Sequence, residues 1–186
     1  MIGFEAAGVP VVLDEDTLRE EVSDPATLLA WCESHPEDPR TVAYLRMLGR
    51  LDEAAAAARA TLAPENLPPL VRAVRRTRYA QVLQFQGAHA AAEEQYDLAA
   101  EETGLEDPTA PAGLTVLAAV FHHRAKARFE RAGAETAQER PRAAARLGEQ
   151  ALEDAERALA IRRHLHGEDS AEVASSRQAV ERIRRG

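Results

Sequence analysis

Apolar residues recur along much of this chain at spacings of three and four, which is the period of an amphipathic helix. The clearest example is the stretch from Arg78 to Ala99, RYAQVLQFQGAHAAAEEQYDLA. Its first half keeps a helical apolar pattern up to Phe85, where a Gln-Gly pair interrupts it. In its second half Ala92, Tyr96 and Ala99 share one helical face. The stretch therefore predicts two antiparallel helices joined by a turn at the Gln-Gly pair.

Prolines, capping residues and glycines divide the chain into further predicted helices. Asp-Pro pairs at Asp24 and Asp38 predict two helix starts, and Gly49 predicts a stop. Gly133 is predicted to end a long apolar helix and to be followed by a polar loop at 134–139. The predicted helices span about residues 25–35, 39–48, 51–63, 69–86, 88–102, 112–132, 141–166 and 171–185.

The beginning of the chain lacks this helical pattern. Residues 1–13 contain two Gly, one Pro and a short Val-Val-Leu run, which predicts a flexible arm. A short extended segment lying on the body of the protein, or on a second subunit, is the alternative. The stretch 14–18 can open a short helix. We therefore expect an N-terminal arm over residues 1–22 and a helical domain over residues 23–186.

The composition favours a fold made of helices. Aromatic residues make up only 4% of the chain, charged residues make up 29%, and alanine is abundant. Small side chains let helices pack closely, whereas a β-sandwich needs long alternations of β-branched and aromatic residues, which this sequence lacks. The predicted fold class is all-α, with antiparallel helix pairs as its units.

The net charge of −8 argues against partners that are themselves anionic. Binding to nucleic acid or to a membrane surface requires a basic excess on at least one face, so neither partner is expected. The exception is a basic run at 72–78, in which three arginines share a helical face. Pairing with nearby acids such as Glu65, Glu93 and Glu94 is the favoured explanation, and an anionic partner is the alternative.

Cys32 is the only cysteine, so neither an intrachain disulfide nor a zinc site built from several cysteines can form. Its apolar neighbours predict a buried side chain. The chain has no run of 18 apolar residues and no pattern of a secretory signal at its start, so we expect a cytoplasmic protein.

Histidine is the one candidate for metal binding or acid–base chemistry. Neighbouring His122 and His123 diverge on a helix, as do His164 and His166, and no helical ligand spacing is present. The chain also lacks a GxSxG motif and a Gly-rich phosphate loop. We therefore expect no cofactor, no metal and no enzymatic activity. A metal-dependent enzyme that combines a histidine with Glu130 is the least favoured alternative.

The stretch 78–99 resembles a tetratricopeptide repeat, a helix-turn-helix unit of about 34 residues. The match consists of Gly87 followed by Ala92, Tyr96 and Ala99. An earlier stretch repeats the turn, because Gly49 precedes Ala54 by five residues, as Gly87 precedes Ala92. That earlier repeat is degenerate, since Ala58 stands where the family has a large aromatic residue.

A second resemblance lies near the end of the chain. Residues 158–174, ALAIRRHLHGEDSAEVA, resemble the repeat junction of kinesin light chain-type arrays, with Leu165, Gly167 and Asp169-Ser170 in the corresponding places. The His-Pro often found in that loop is replaced by Ser170-Ala171. The resemblance implies a degenerate repeat at about 39–66, the best repeat at about 68–103, a long repeat with an insertion at about 112–166, and a capping helix at 170–185.

A tetratricopeptide array implies an α–α superhelix whose concave face binds a protein or peptide. The groove positions of the family are assigned to this sequence by counting from the glycine turns. In this assignment Phe85 and Met47 make apolar contacts with the partner, and Arg46 and Arg131 bind its carboxylates. The complete set of expected binding residues is Arg46, Met47, Thr77, Gln81, Gln84, Phe85, His123, Glu130 and Arg131. The basic and Asn residues with which chaperone-binding members hold a C-terminal carboxylate are missing.

These features make a non-enzymatic scaffold that binds a protein or peptide partner the leading functional prediction. Pairing with a second copy of the chain is compatible with it, because short arrays expose apolar helix faces at their ends. A regulatory protein that closes around a small ligand or a signalling peptide remains the main alternative.

Overall fold

The computed structural model describes residues 3–14, 19–105 and 107–186. These residues are mostly helical, so the predicted class holds, although a small sheet is added to it. The strands are β1 (Gly3–Ala6), β2 (Val9–Leu13) and β3 (Glu20–Val22). The helices are α1 (Pro25–Ser34), α2 (Arg40–Met47), α3 (Leu51–Leu62), α4 (Pro69–Phe85), α5 (His89–Thr103), α6 (Pro111–Ala137), α7 (Pro141–Leu165) and α8 (Ala171–Arg185).

The chain divides into two compact units. Among the described residues, the first unit contains the sheet and helices α1 to α5, and the second contains α6 to α8. Within the described ranges, no helix has both the length and the apolar composition that crossing a lipid bilayer requires.

Helices α1 and α8 begin at side chains that cap them. The Asp24 carboxylate accepts a hydrogen bond from the Thr27 N–H at 3.0 Å, with Pro25 in the first turn of α1. The Ser170 hydroxyl likewise accepts from the Val173 N–H and caps α8. Such side chains satisfy N–H groups that the first helical turn leaves without an internal partner.

The turns at Gly49 and Gly87 are confirmed. Both glycines have positive φ angles, +72° and +77°, and each ends a helix, α2 or α4. After Gly87, the Ala88 N–H donates to the Leu83 carbonyl at 2.9 Å, which is the 6→1 bond of a Schellman motif. At the turn after α2, the N–H group of Arg50, which follows Gly49, donates the corresponding bond to the Leu45 carbonyl, also at 2.9 Å.

The predicted helix end at Gly133 is wrong. Helix α6 continues through Gly133 to Ala137 and ends with Glu139, whose φ is +57°. The Arg140 N–H closes the same 6→1 bond, here to the Glu135 carbonyl at 2.9 Å. A helix interior tolerates glycine at a cost of about 0.5–1 kcal/mol relative to Ala, so a glycine alone does not terminate it.

The described part of the N-terminal arm is in fact an antiparallel sheet in the order β1-β2-β3. Ala7 and Gly8, with φ of +52° and +79°, form the two-residue turn between β1 and β2. Val9 and Val11 are buried in the core of the first unit, so this segment lies on the body of the protein. The short helix expected at 14–18 falls mainly on residues 15–18, which lie outside the described residues.

The helical stripe that carries the family resemblance faces inward. Ala92, Tyr96 and Ala99 on α5 are all buried. Ala58, at the position of the missing aromatic, is buried too. Cys32 is a buried free thiol, as predicted, and this burial raises its pKa. The apolar period of α5 therefore identified the core-facing side of that helix correctly.

The second unit is held together by an apolar core that α6, α7 and α8 share. Helix α8 is more than a polar cap, because Val173, Val180 and Ile183 on one of its faces are buried. Three alanines and one leucine of α6 and α7 complete the cluster, which consists of Ala125, Ala151, Ala155, Leu159, Val173, Val180 and Ile183.

Candidate functional site

The nine expected binding residues are divided between the two units. The first unit holds Arg46, Met47, Thr77, Gln81, Gln84 and Phe85, and the second holds His123, Glu130 and Arg131.

Arg46 is only 4% exposed and already binds a carboxylate of its own chain. Its Nη1 and Nη2 atoms donate to Oε2 and Oε1 of Glu20, each at 3.1 Å. Such a bidentate pair matches the planar fork of the guanidinium to both carboxylate oxygens. The Nε atom of Arg46 is buried without a hydrogen-bond partner. The place expected for a partner's carboxylate is therefore occupied by Glu20 of β3.

Phe85 lies beside this ion pair and is half-buried. The guanidinium carbons of Arg19 and Arg46 each lie 4.9 Å from the centre of its ring. A cation at this distance from an aromatic face is attracted by the quadrupole of the ring. We call Arg19, Glu20, Arg46 and Phe85 the Arg46 cluster. It joins the N-terminal segment to α2 and α4.

Three other expected contacts of the first unit point into its interior, so that part of the prediction needs correction. Thr77, Gln81 and Gln84 on α4 are all buried. The Thr77 hydroxyl donates to the Ala73 carbonyl at 2.8 Å. The Gln84 side-chain oxygen accepts from the buried Tyr96 hydroxyl at 3.4 Å. These polar groups pack within the unit instead of lining an open face, because α4 has helices packed on several sides.

Met47 is half-buried and packs against the core of the first unit. It therefore retains part of an accessible surface, although its main contacts are internal. It is the apolar neighbour of Arg46 at the end of α2.

The basic run at 72–78 is paired internally, in agreement with the favoured explanation. The Arg76 Nε atom donates to the Glu102 carboxylate at 2.9 Å, and the Arg72 Nε atom lies 3.8 Å from it. Arg75 donates to the Thr61 carbonyl. The acid that joins two of these arginines is thus Glu102, which sequence reasoning did not name.

In the second unit, the three expected contacts His123, Glu130 and Arg131 are half-buried on α6. The Arg131 side chain is 38% exposed, and its Nε atom lies 4.0 Å from the Glu135 carboxylate. Glu135 also binds the Arg140 Nε atom at 2.7 Å. Arg131 therefore combines a loose ion pair with access to solvent.

A buried ionic cluster of the second unit was missed by sequence reasoning. The Asp154 side chain on α7 is 2% exposed and accepts three hydrogen bonds. Arg124 donates through Nε at 2.8 Å and through Nη2 at 2.9 Å, and Arg128 donates through Nη1 at 2.8 Å. We call these three residues the Asp154 cluster. An acid within the buried alanine stripe of α7 was the signal that could have revealed it.

His122 on α6 is another buried ionisable group of this helix pair. Its Nδ1 atom has no hydrogen-bond partner. Burial lowers the pKa of His122 well below the usual value of 6.5, and the positive charges of Arg162, His123 and Lys126 lower it further. The imidazole is therefore neutral at physiological pH.

The described residues contain no group of three or more His, Cys, Asp or Glu side chains that could hold a metal ion. Comparison with known proteins adds no relative, since no family model, no curated protein and no solved structure matches this chain.

Proposed function

We propose that this chain is a non-enzymatic scaffold that binds an extended segment of a partner protein on the α2–α4 face of its first unit. One observation carries the proposal. This face already holds an extended segment of the chain itself, with Glu20 on Arg46 and Arg19 against Phe85. The resemblance to tetratricopeptide repeats and the glycine turns at Gly49 and Gly87 point in the same direction.

The chemistry of the Arg46 cluster defines the ligand class. A guanidinium fork selects a carboxylate through two parallel hydrogen bonds, and an aromatic ring attracts a neighbouring cation. In the segment that occupies the face, a basic residue directly precedes an acidic one, Arg19 before Glu20. A partner segment with adjacent basic and acidic side chains fits the same two groups.

A second contact on α6 is included in the proposal. Arg131 is the most suitable of the three expected residues, because its guanidinium is partly exposed and only loosely paired with Glu135. In the proposal it binds an acidic side chain of a partner protein on the second unit. His123 and Glu130 lie on the same helix and complete the expected set.

Affinity capture with purified full-length protein tests the proposal. The wild-type chain, immobilised and titrated with extract from its source organism, should retain a partner in a saturable way. Phe85→Ala and Arg131→Gln should each reduce the retained amount at least tenfold, while Arg59→Gln, at an exposed position of α3, should leave it unchanged. Circular dichroism should show the same helicity for all four proteins.

The absence of any saturable partner would reject the proposal. Unchanged capture by Phe85→Ala would reject the α2–α4 face, and unchanged capture by Arg131→Gln would reject the contact on α6.

A further inference from the structure

We infer that the segment Arg19–Val22 is a built-in competitor for the partner, and that the partner binds by replacing the Glu20 carboxylate on Arg46 with one of its own. This inference rests on the proposed function and adds its regulation. In the free protein the binding face is occupied, so the affinity for a partner depends on how readily β3 leaves it.

The internal ion pair leaves Arg46 incompletely satisfied. Glu20 accepts hydrogen bonds from the two terminal nitrogens of Arg46, whereas the buried Nε atom of Arg46 has no hydrogen-bond partner. The guanidinium of Arg124 shows a more complete arrangement, because its Nε and Nη2 atoms both donate to Asp154. A buried donor without an acceptor destabilises the state that contains it. A partner carboxylate that also reaches Nε would remove this deficit.

The segment that occupies the face is held by the pairing of β3 with β2, by the Arg46 cluster and by Val22, which packs against the apolar core of the unit. Strand β3 has three residues and lies at an edge of the sheet, where it pairs with β2 alone. Short edge strands open at a lower free energy than helices buried in a core. Val9 and Val11 of the neighbouring strand β2 lie in the apolar core. Departure of residues 19–22 therefore breaks the β3 pairing and the Val22 packing, while the buried side chains of β2 keep that strand in place.

Competition by a tethered segment lowers the apparent affinity for any free ligand. A segment connected through a short linker acts at an effective concentration of about millimolar. The measured dissociation constant is the intrinsic one divided by the fraction of molecules whose face is open. Weakening the internal contact without damaging the face should therefore strengthen the binding of a free segment.

Glu20→Gln is the substitution that tests this, because it keeps the size of the side chain and removes its charge. Glu21→Gln is the matched control, since Glu21 is the exposed neighbour on the same strand and the change in charge is identical. The probe is a fluorescent, acetylated and amidated peptide with the sequence of residues 19–24, added to the full-length proteins. A second probe carries Gln in place of its first Glu.

Fluorescence anisotropy at low salt should show that the Glu20→Gln protein binds the first probe at least tenfold more tightly than wild type does. The Glu21→Gln protein should match wild type. The Glu20→Gln protein should not bind the second probe. The double variant Glu20→Gln/Arg46→Gln should not bind the first probe.

Equal affinity of wild type and Glu20→Gln for the first probe would overturn the inference. So would the absence of binding to a Glu20→Gln protein whose circular dichroism and unfolding transition show it to be folded. If affinity capture retains a partner but Glu20→Gln retains no more of it than wild type does, the competition is rejected and the proposed function stands. If no variant retains a partner, the proposed function itself fails.

Discussion

The Arg46 cluster and the Asp154 cluster use the same chemistry for different ends. Each one buries a carboxylate against guanidinium groups from a distant part of the chain. Asp154 belongs to the middle of a 25-residue helix and accepts three hydrogen bonds from two arginines. Glu20 belongs to a three-residue edge strand, and its arginine keeps one buried donor without a partner.

The difference lies in what holds each carboxylate in place. Asp154 cannot leave its arginines without moving α7, which shares the apolar core of the second unit. Glu20 can leave with a short strand. The same type of ion pair is therefore a permanent structural contact, called here a structural lock, on a long packed helix, and an exchangeable contact on an edge strand.

The largest effect that this comparison predicts is that of Asp154→Asn. Breaking a buried pair by removing one partner costs about 3–5 kcal/mol, because the opposite charge loses its compensation while it stays buried. Urea unfolding followed by circular dichroism should show a loss of this size. The adjacent Glu153→Gln should change the free energy of unfolding by less than about 0.5 kcal/mol, because it breaks only an exposed pair with Arg157. A loss below about 1 kcal/mol for Asp154→Asn would remove the distinction between the clusters.

Glu20→Gln should lower the free energy of unfolding clearly less than Asp154→Asn does. The Glu20 side chain is 12% exposed and its strand can relax, so we expect a loss of about 1–2 kcal/mol, typical of one weakened charged hydrogen-bond pair. The same urea titration measures it, and Glu21→Gln should remain within about 0.5 kcal/mol of wild type. A cost equal to that of Asp154→Asn would show that the Arg46 cluster is a structural lock as well.

The two units also differ in how they use glycine. Gly87 has a φ of +77°, so Gly87→Ala should destabilise the first unit by about 1–2 kcal/mol through backbone strain. Gly133 lies inside α6 with open space around its Cα, so Gly133→Ala should stabilise the second unit by about 0.5–1 kcal/mol. Thermal unfolding of both variants should show transition temperatures shifted in opposite directions. Shifts of the same sign would contradict this contrast.

The smallest effect concerns the pH dependence of the second unit. The pKa of His122 is depressed in the folded state, so the unfolded chain takes up a proton near pH 6.5 while the folded chain does not. The contribution of the neutral His122 to the free energy of unfolding is therefore fully present above pH 6.5, and it is lost as the pH falls below that value. His122→Leu should flatten the slope of unfolding free energy against pH between 7 and 5. An unchanged slope in the His122 variant would exclude this histidine as the cause.

Part of the site could be recognised from the sequence and part could not. Arg46 and Phe85 were identified because glycine turns place them at fixed positions on their helices. Their contact with Glu20 could not be identified from the sequence, because Glu20 precedes Arg46 by 26 residues in a segment without a helical pattern. Asp154 was overlooked for a related reason, since its arginines lie 26 and 30 residues away on another helix.

The sequence by itself determined the local features of this protein. Helix starts at Asp24 and Ser170, turns at Gly49 and Gly87, and the buried stripe of α5 depend on side chains within about one turn of each other. Only the tertiary structure decided the pairing of charges and the sheet of the N-terminal segment. Those features join residues that are distant along the chain. Such contacts form only when the whole unit folds, because the free energy gained by packing the unit must outweigh the entropy lost in closing the intervening chain.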